Sequence, residues 1–293
     1  VVGLLSFGGF NPVYAEDEPT PEEQAIIDST EEADAAAAKA EAEKLGKSVA
    51  ALYLIPDFDN PSGESIDVDT RKALINLCAE LKIAIFEDNP YGLFYYNNDK
   101  KPTMYQLDDK GVVYHLGSFA KTMCPTLRIG YILTPDHESA AQLGKVKSLV
   151  SVNTSQFTQA VAGGIILQND CSLASQVNQA ADYYQINRDT MLEALQHSFS
   201  DMAGQVSWNE PQGGFFLTVK MPFVFSRSEV KQCAAKYNIL CMPRAYFSLD
   251  GTPDHYVRLS FSYVTPAQIR EGIAALKQFT QDHMAAMKGE CDA

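Results

Sequence analysis

Lys121 stands in the segment Ser118-Phe119-Ala120-Lys121-Thr122, directly after the apolar run Gly111 to Leu116. A lysine amine becomes a nucleophile once burial or nearby cations lower its pKa, so a lysine at the end of a buried strand is a candidate for covalent chemistry at a carbonyl. Three further segments have the same character: Pro56-Asp57-Phe58-Asp59-Asn60-Pro61-Ser62-Gly63, Phe86-Glu87-Asp88-Asn89-Pro90-Tyr91-Gly92 and Leu127-Arg128-Ile129-Gly130-Tyr131. Each follows or opens an apolar run and presents a polar group. Together with Lys121 they offer an amide (Asn60), a carboxylate (Asp88), a phenol (Tyr91), a hydroxyl (Ser118) and a guanidinium (Arg128). Lys121 lies 33 residues after Asp88, and Arg128 seven after Lys121.

These residues need elements to hold them. Ala51 to Ile55, Ile83 to Phe86, Gly111 to Leu116 and Arg128 to Leu133 are short apolar runs that predict buried strands, and Asp69 to Leu81 has helical spacing. Strands separated by helical segments predict an α/β sheet, whose chemistry sits beyond the carboxyl ends of its strands. Side chains alternate along a strand, so Glu87 is expected to point away from the face that carries Asp88. Residues 138–168 and 172–198 read as long helices. Shorter strands follow (Gly214 to Lys220, Tyr256 to Ser262), with helices at Ser228 to Tyr237 and Pro266 to His283. This second part reads as a smaller α+β domain. Near the start, Thr20-Pro21-Glu22-Glu23 carries helix-start signals, and Glu31 to Leu45 is an Ala-rich helix former with a solvated face.

A phosphorylated pyridine aldehyde needs the donor set above. The four segments resemble those of the class I/II aminotransferases, pyridoxal 5′-phosphate (PLP) enzymes of fold type I, in the 2-aminoadipate and aromatic branch. The resemblance runs from about residue 8 to the C-terminus. It implies a fold type I large domain over 1–172, with a mainly parallel but incomplete sheet, and a smaller C-terminal α+β domain with its connecting helix over 173–293. It also implies a role for each residue. Lys121 would form the Schiff base with the cofactor and shuttle the proton. Asp88 would pair with the pyridine nitrogen and keep the ring an electron sink. Tyr91 and Asn60 would bond the cofactor's phenolic oxygen, and Ser118 and Arg128 its phosphate, where a guanidinium binds bidentately. Arg258, in His255-Tyr256-Val257-Arg258-Leu259-Ser260, would grip the substrate α-carboxylate, and Asn60 is also implied to bind substrate. The implied activity is amino-group transfer from an α-amino acid to a 2-oxo acid, by a cytoplasmic homodimer when full length.

The sequence departs from the pattern at Ala120, where many relatives have Ser, and at Thr126, where Gly is usual. The resemblance further implies that the family's N-terminal portion, with a Gly-rich phosphate turn and a ring-stacking aromatic, precedes Val1. Asn11 to Ala15 would then be the third strand of a seven-stranded sheet. A gap is expected between it and the strand at 51–55, leaving the chain by itself aggregation-prone and weak in PLP binding. Other readings stay open: another fold type I reaction such as C–S lysis, the aminotransferase-like effector domain of a transcription regulator, or an inactive fragment. The Ser-x-x-Lys pattern of serine acylases requires Ser-Asp-Asn and Lys-Thr-Gly as well, and neither tripeptide occurs.

Composition narrows the partners. The net charge of −14 argues against nucleic acid or an anionic membrane surface, which call for a basic patch. Residues 16–47 hold eleven acids and three lysines, over half of that charge. No apolar run is long enough to span a membrane. The apolar start at Val1 to Phe7 lacks a signal peptide's basic region and reads as a strand with its lead-in. The six cysteines are scattered, with no C-x-x-C pair and no metal-site spacing, which suits a reducing cytosol.

Overall fold

The computed structural model describes residues 2–7, 39–40, 42, 44–97, 99–248 and 251–291. Among these residues, five strands form the first sheet: β1 (Val2–Phe7), β2 (Ser48–Leu54), β3 (Ala84–Asp88), β4 (Val113–Ser118) and β5 (Gly130–Leu133), in that spatial order. The first four run parallel and β5 is antiparallel to β4. β1 lies directly against β2, so the expected gap beside β2 is closed. An open strand edge presents unpaired backbone donors and acceptors, and β1 satisfies them. Asn11 to Ala15, the segment expected to form the strand on the far side of that gap, lies outside the described residues, as does the helix start at Thr20. Of the Ala-rich helix expected over 31–45, Lys39, Ala40, Ala42 and Lys44 are described and helical, and Leu45 is already in a turn.

Alternation sorts the sheet into two faces. Leu52 and Leu54 of β2, Ile85 of β3 and Val113 of β4 point to one side. There they pack with Leu74, Ile75 and Cys78 of helix α1 (Val68–Leu81) and with Met104 of the short helix α2 (Met104–Leu107). Asp67 caps α1 by accepting a hydrogen bond from the Thr70 backbone N–H at 2.8 Å, and Thr103 and Gln106 form a capping box on α2. The other face carries Tyr53, Phe86, Asp88, Tyr114 and Ser118.

After β4 comes the single turn α3 (Phe119–Thr122), then β5. The helix expected over 138–168 is two helices, α4 (His137–Ser151) and α5 (Gln156–Gln168). The break has a local cause: Val152 takes a left-handed φ of 50°, and Ser155 caps the new helix through the Thr158 N–H. The long helix α6 (Leu173–Phe199) leads to a second, antiparallel sheet in the order β6 (Ser207–Trp208), β7 (Phe216–Phe225), β9 (Asp254–Ser260), β8 (Met242–Pro243). Helices α7 (Arg227–Tyr237) and α8 (Pro266–Cys291) complete it. Its core joins Leu195 and Phe199 of α6 to Val219, Met221 and Phe225 of β7 and to Ile273, Leu276 and Phe279 of α8.

A third apolar cluster joins the two sheets. It unites Ile55 and Phe58 after β2, Tyr91 and Phe94 after β3, Val177 and Ala181 of α6, and Phe215 and Phe216 at the start of β7. The backbones meet closely here. Gly63 has φ +75°, and a Cβ on it would stand 2.4 Å from the Phe216 carbonyl oxygen. Only glycine allows both that conformation and that approach.

Candidate active site

The site is built at the carboxyl ends of β2, β3 and β4, where the third cluster brings in β7 and β9. Asp88 ends β3 on the face shared with Tyr53. The Tyr53 hydroxyl donates to Asp88 Oδ2 at 2.5 Å. Burial raises the Asp88 carboxyl above its ordinary range, while the Tyr53 hydrogen bond and the charge of His115 pull it back down. Glu87 faces the opposite side, as alternation requires. It is fully buried and accepts hydrogen bonds from the backbone N–H groups of Met104 (2.7 Å) and Tyr105 (3.0 Å), and it pairs with His115 Nδ1 at 2.8 Å.

The turn after β3 places Tyr91. Asn89 Oδ1 accepts from the Gly92 N–H at 2.7 Å, and Asn89 Nδ2 donates to Asp57 at 3.1 Å. Tyr91 is buried, its ring edge-on to Phe215 at 5.4 Å and to Phe216 at 5.8 Å. Burial, and then the charge of Asp88, push its phenol up to about 12, so it is a neutral donor at physiological pH. Asp57 is itself held by a buried ion pair, with Arg71 Nη2 2.5 Å from its Oδ1, and by the Tyr95 hydroxyl at 2.5 Å. Arg71 also donates to the carbonyls of Pro56, Ile66 and Pro102. This network ties the turns after β2 and β3 to α1.

Asn60 lies in the loop after β2. Its Oδ1 accepts from Arg258 Nη1 at 2.6 Å, a contact between residues 198 apart in sequence. Arg258 sits on β9 between Thr218 of β7 and Met242 of β8. Its guanidinium lies over the rings of Phe216 (4.3 Å) and Phe247 (4.8 Å), and its Nε is buried without a hydrogen-bond partner. Thr218 Oγ1 donates to the Pro61 carbonyl at 3.2 Å, and Asn209 Nδ2 to that of Ser62 at 2.7 Å, which clamps the Asn60 loop to the second sheet.

Lys121 lies on α3 and is exposed, with Nζ 6.0 Å from the centroid of the Phe215 ring. Ser118 caps α3 by accepting from the Ala120 N–H at 3.2 Å. Arg128 has a left-handed φ of 51°, and the next residue, Ile129, accepts from the Phe119 N–H at 3.0 Å, which sets Arg128 beside α3. Among the described residues its guanidinium makes no hydrogen bond or ion pair.

The structure thus gathers Lys121, Tyr91, Asn60 and Arg258 around the Phe215–Phe216 pair, with Asp88 beside Tyr91 and with Ser118 and Arg128 at the α3 turn. Sequence reasoning missed Tyr53, Asp59 and the two phenylalanines as parts of this neighbourhood. Asp59 is buried, accepts from Ser62 Oγ at 2.9 Å, and leaves Oδ1 unpaired. The available signal was the strand period: Tyr53 breaks the Leu52–Leu54 face and so had to share the face of Asp88.

Residues 27–276 match the family profile of aminotransferases of class I and II. The chain belongs to this family. It is 37% identical over 240 residues to (S)-3,5-dihydroxyphenylglycine transaminase of Amycolatopsis orientalis, covering 80% of this chain and 54% of that protein. Among solved structures it resembles the multiple substrate aminotransferase of Thermococcus profundus, at 29% identity and a TM-score of 0.78, over 86% of this chain and 61% of that one. It also resembles LysN, an α-aminoadipate aminotransferase of Thermus thermophilus complexed with N-(5′-phosphopyridoxyl)-L-leucine, at 25% identity and a TM-score of 0.74, over 84% of this chain and 63% of that one. The chain spans about half the length of the curated relatives it matches.

PLP is the cofactor of the aminotransferase family, and the residues present fit it. Asp88 keeps one carboxylate oxygen without a donor among the described residues, Arg128 has an unbonded guanidinium, and Lys121 has an accessible amine. A basic ring nitrogen, a phosphate and an aldehyde would meet those three groups.

Proposed function

We propose that this protein is a PLP-dependent aminotransferase that moves the amino group of an α-amino acid to a 2-oxo acid. The observation that carries the reading is the meeting of Lys121, Tyr91, Asn60 and Arg258 around Phe215–Phe216, next to Asp88. PLP supplies, when bound, an aldehyde and an electron-withdrawing ring. Asp88 would hold a proton on the ring nitrogen by its negative charge. Lys121 Nζ would bond the aldehyde carbon and, when released, carry a proton to and from the substrate Cα. Tyr91 and Asn60 would donate to the phenolic oxygen, and Ser118 and Arg128 would hold the phosphate. Arg258, already desolvated on two aromatic rings, would bind the substrate α-carboxylate in a bidentate fork and so orient any α-amino acid alike.

We place the first domain at residues 1–172 and the second, with its connecting helix, at 173–293, so that the site lies where the two meet. A homodimer is supported by the large apolar side chains that α4 and α5 leave exposed, Leu149 at 87% and Phe157 at 77%. No helix among the described residues is long and apolar enough to cross a membrane. Cys78, Cys124, Cys171, Cys233 and Cys241 are free, which suits a cytoplasmic enzyme.

The test is borohydride reduction of the PLP-loaded protein followed by peptide mapping. The cofactor is expected on Lys121, and Lys121→Ala should abolish both the visible absorption and turnover with an amino-donor panel. Label on a different lysine, or full turnover by the variant, would overturn the assignment.

A further inference from the structure

The role of Asp88 depends on which of its oxygens is available and in which direction. A carboxylate on a strand end can turn about its last torsion and present either oxygen or both. Tyr53 removes that freedom. It sits on β2 opposite Phe86 of β3, two residues before Asp88. Leu52 and Leu54 point to the other face with Ile85 and Glu87. The Tyr53 ring therefore stands on the Asp88 side, and its hydroxyl reaches Oδ2 at 2.5 Å. No other hydrogen-bond donor reaches the Asp88 carboxylate among the described residues.

Resting on the aminotransferase reading above, we propose that Tyr53 is a positioning residue: its hydroxyl ties down Oδ2 of Asp88 and leaves Oδ1 as the oxygen that meets the protonated ring nitrogen of the cofactor. A phenol suits this task. Its ring is rigid and rooted in the neighbouring strand, so it fixes the carboxylate to the sheet rather than to a mobile loop. Burial first, and then the charge of Asp88, hold its ionisation far above the ordinary range, so it remains a donor at every working pH. The bond also favours the ionised carboxylate against the burial that opposes it. Among the described residues, charged or titratable groups that act on this pair include Asp59 in the loop after β2, Tyr91 after β3 and His115 on β4. Of these only His115 favours the ionised form of Asp88, and it is bonded to Glu87 on the far face.

The experiment is a binding comparison on wild type and Tyr53→Phe that needs no turnover. The first ligand is 4-deoxypyridoxine 5′-phosphate, which keeps the ring nitrogen and the phosphate but cannot bond Lys121. The second is its analogue with carbon in place of the ring nitrogen. Tyr53→Phe should weaken the nitrogen-bearing ligand about tenfold, the size of one hydrogen bond to a charged group, and leave the carbocyclic ligand unchanged. It should also move the acidic limb of the first ligand's binding profile to higher pH, because Asp88 then ionises later. Equal weakening of both ligands would reduce Tyr53 to a packing residue, and no weakening of either would remove it from the site. Should the Phe variant fail to fold, 3,5-difluorotyrosine at position 53 keeps the shape with a more acidic hydroxyl. It should move the acidic limb of the nitrogen-bearing ligand's binding to lower pH and leave the carbocyclic ligand unchanged, and an unmoved limb would overturn the proposal. If wild type binds neither ligand, the cofactor reading itself fails and the role of Tyr53 falls with it.

Discussion

The carboxylates around the site differ in what they are given. Among the described residues, Asp88 has Tyr53, Asp57 has Arg71, Asn89 and Tyr95, but the Asp59 side chain has only Ser62 and an unpaired buried Oδ1. Burial raises the Asp59 carboxyl from the ordinary 3.8 to about 6, against the pull of Ser62. A folded-state pKa above the unfolded value means that the folded form binds more protons between those two limits. Stability contributed by this group is then present at low pH and lost as pH rises through about 6. Asp59→Asn, which mimics the protonated form, should therefore stabilise the protein at neutral pH by at most about 3 kcal/mol, at roughly 1.4 kcal/mol per pH unit of displacement. It should also flatten the decline of stability between about pH 4 and 6. Urea titrations of both proteins across that range check this. Identical pH profiles would show that Asp59 is not the titrating group.

At the scale of elements, the turns after β2 and β3 are held by one buried ion pair. Arg71 is fully buried on α1 and reaches Asp57 and three carbonyls, so α1 acts as the anchor for two loops that carry Asn60 and Tyr91. Removing one partner of a buried pair strands a charge and costs about 3–5 kcal/mol. Against a domain stability of about 5–15 kcal/mol, that is a large fraction. Arg71→Met is expected to lower the urea midpoint strongly and to weaken PLP binding, although Arg71 touches none of the proposed site residues. Adding Asp57→Asn should recover part of the stability, because the stranded charge is gone. A single variant with wild-type stability would show that water or a shifted loop compensates the charge.

For the whole molecule, the decisive feature is which apolar surface stays uncovered. The first sheet buries one face on α1, and the second sheet buries its own against α6 and α8. The α4–α5 region buries little: Leu149, Phe157 and Leu167 are 87%, 77% and 71% exposed. Large exposed apolar groups in one region mark a surface that associates. The 293-residue chain should therefore elute from a sizing column larger than its 32.2 kDa, with an apparent size that grows with concentration. Leu149→Lys with Phe157→Lys should shift it toward the monomer. A wild-type chain that is monomeric at every concentration would dissociate these helices from any assembly role.

The sequence by itself determined the local features. The strand runs at β2 to β5, the α1, α7 and α8 spans, and the polar residues that follow the strands all obey short-range periodicity and capping, which a chain carries wherever it folds. The alternation that sends Glu87 away from Asp88 was legible for the same reason. Only the tertiary structure decided how distant parts meet. Asn60 and Arg258 touch across 198 residues because Phe215 and Phe216 bury themselves against Phe58, Tyr91 and Phe94. The Tyr53–Asp88 bond follows from the register of β2 on β3, and the place of β1 from the need of the β2 edge for a partner. The split between α4 and α5 turned on a left-handed Val152 before a serine cap, a choice that helical spacing does not encode. Long-range pairings are selected by shared burial, and burial is a property of the folded whole rather than of any stretch of chain.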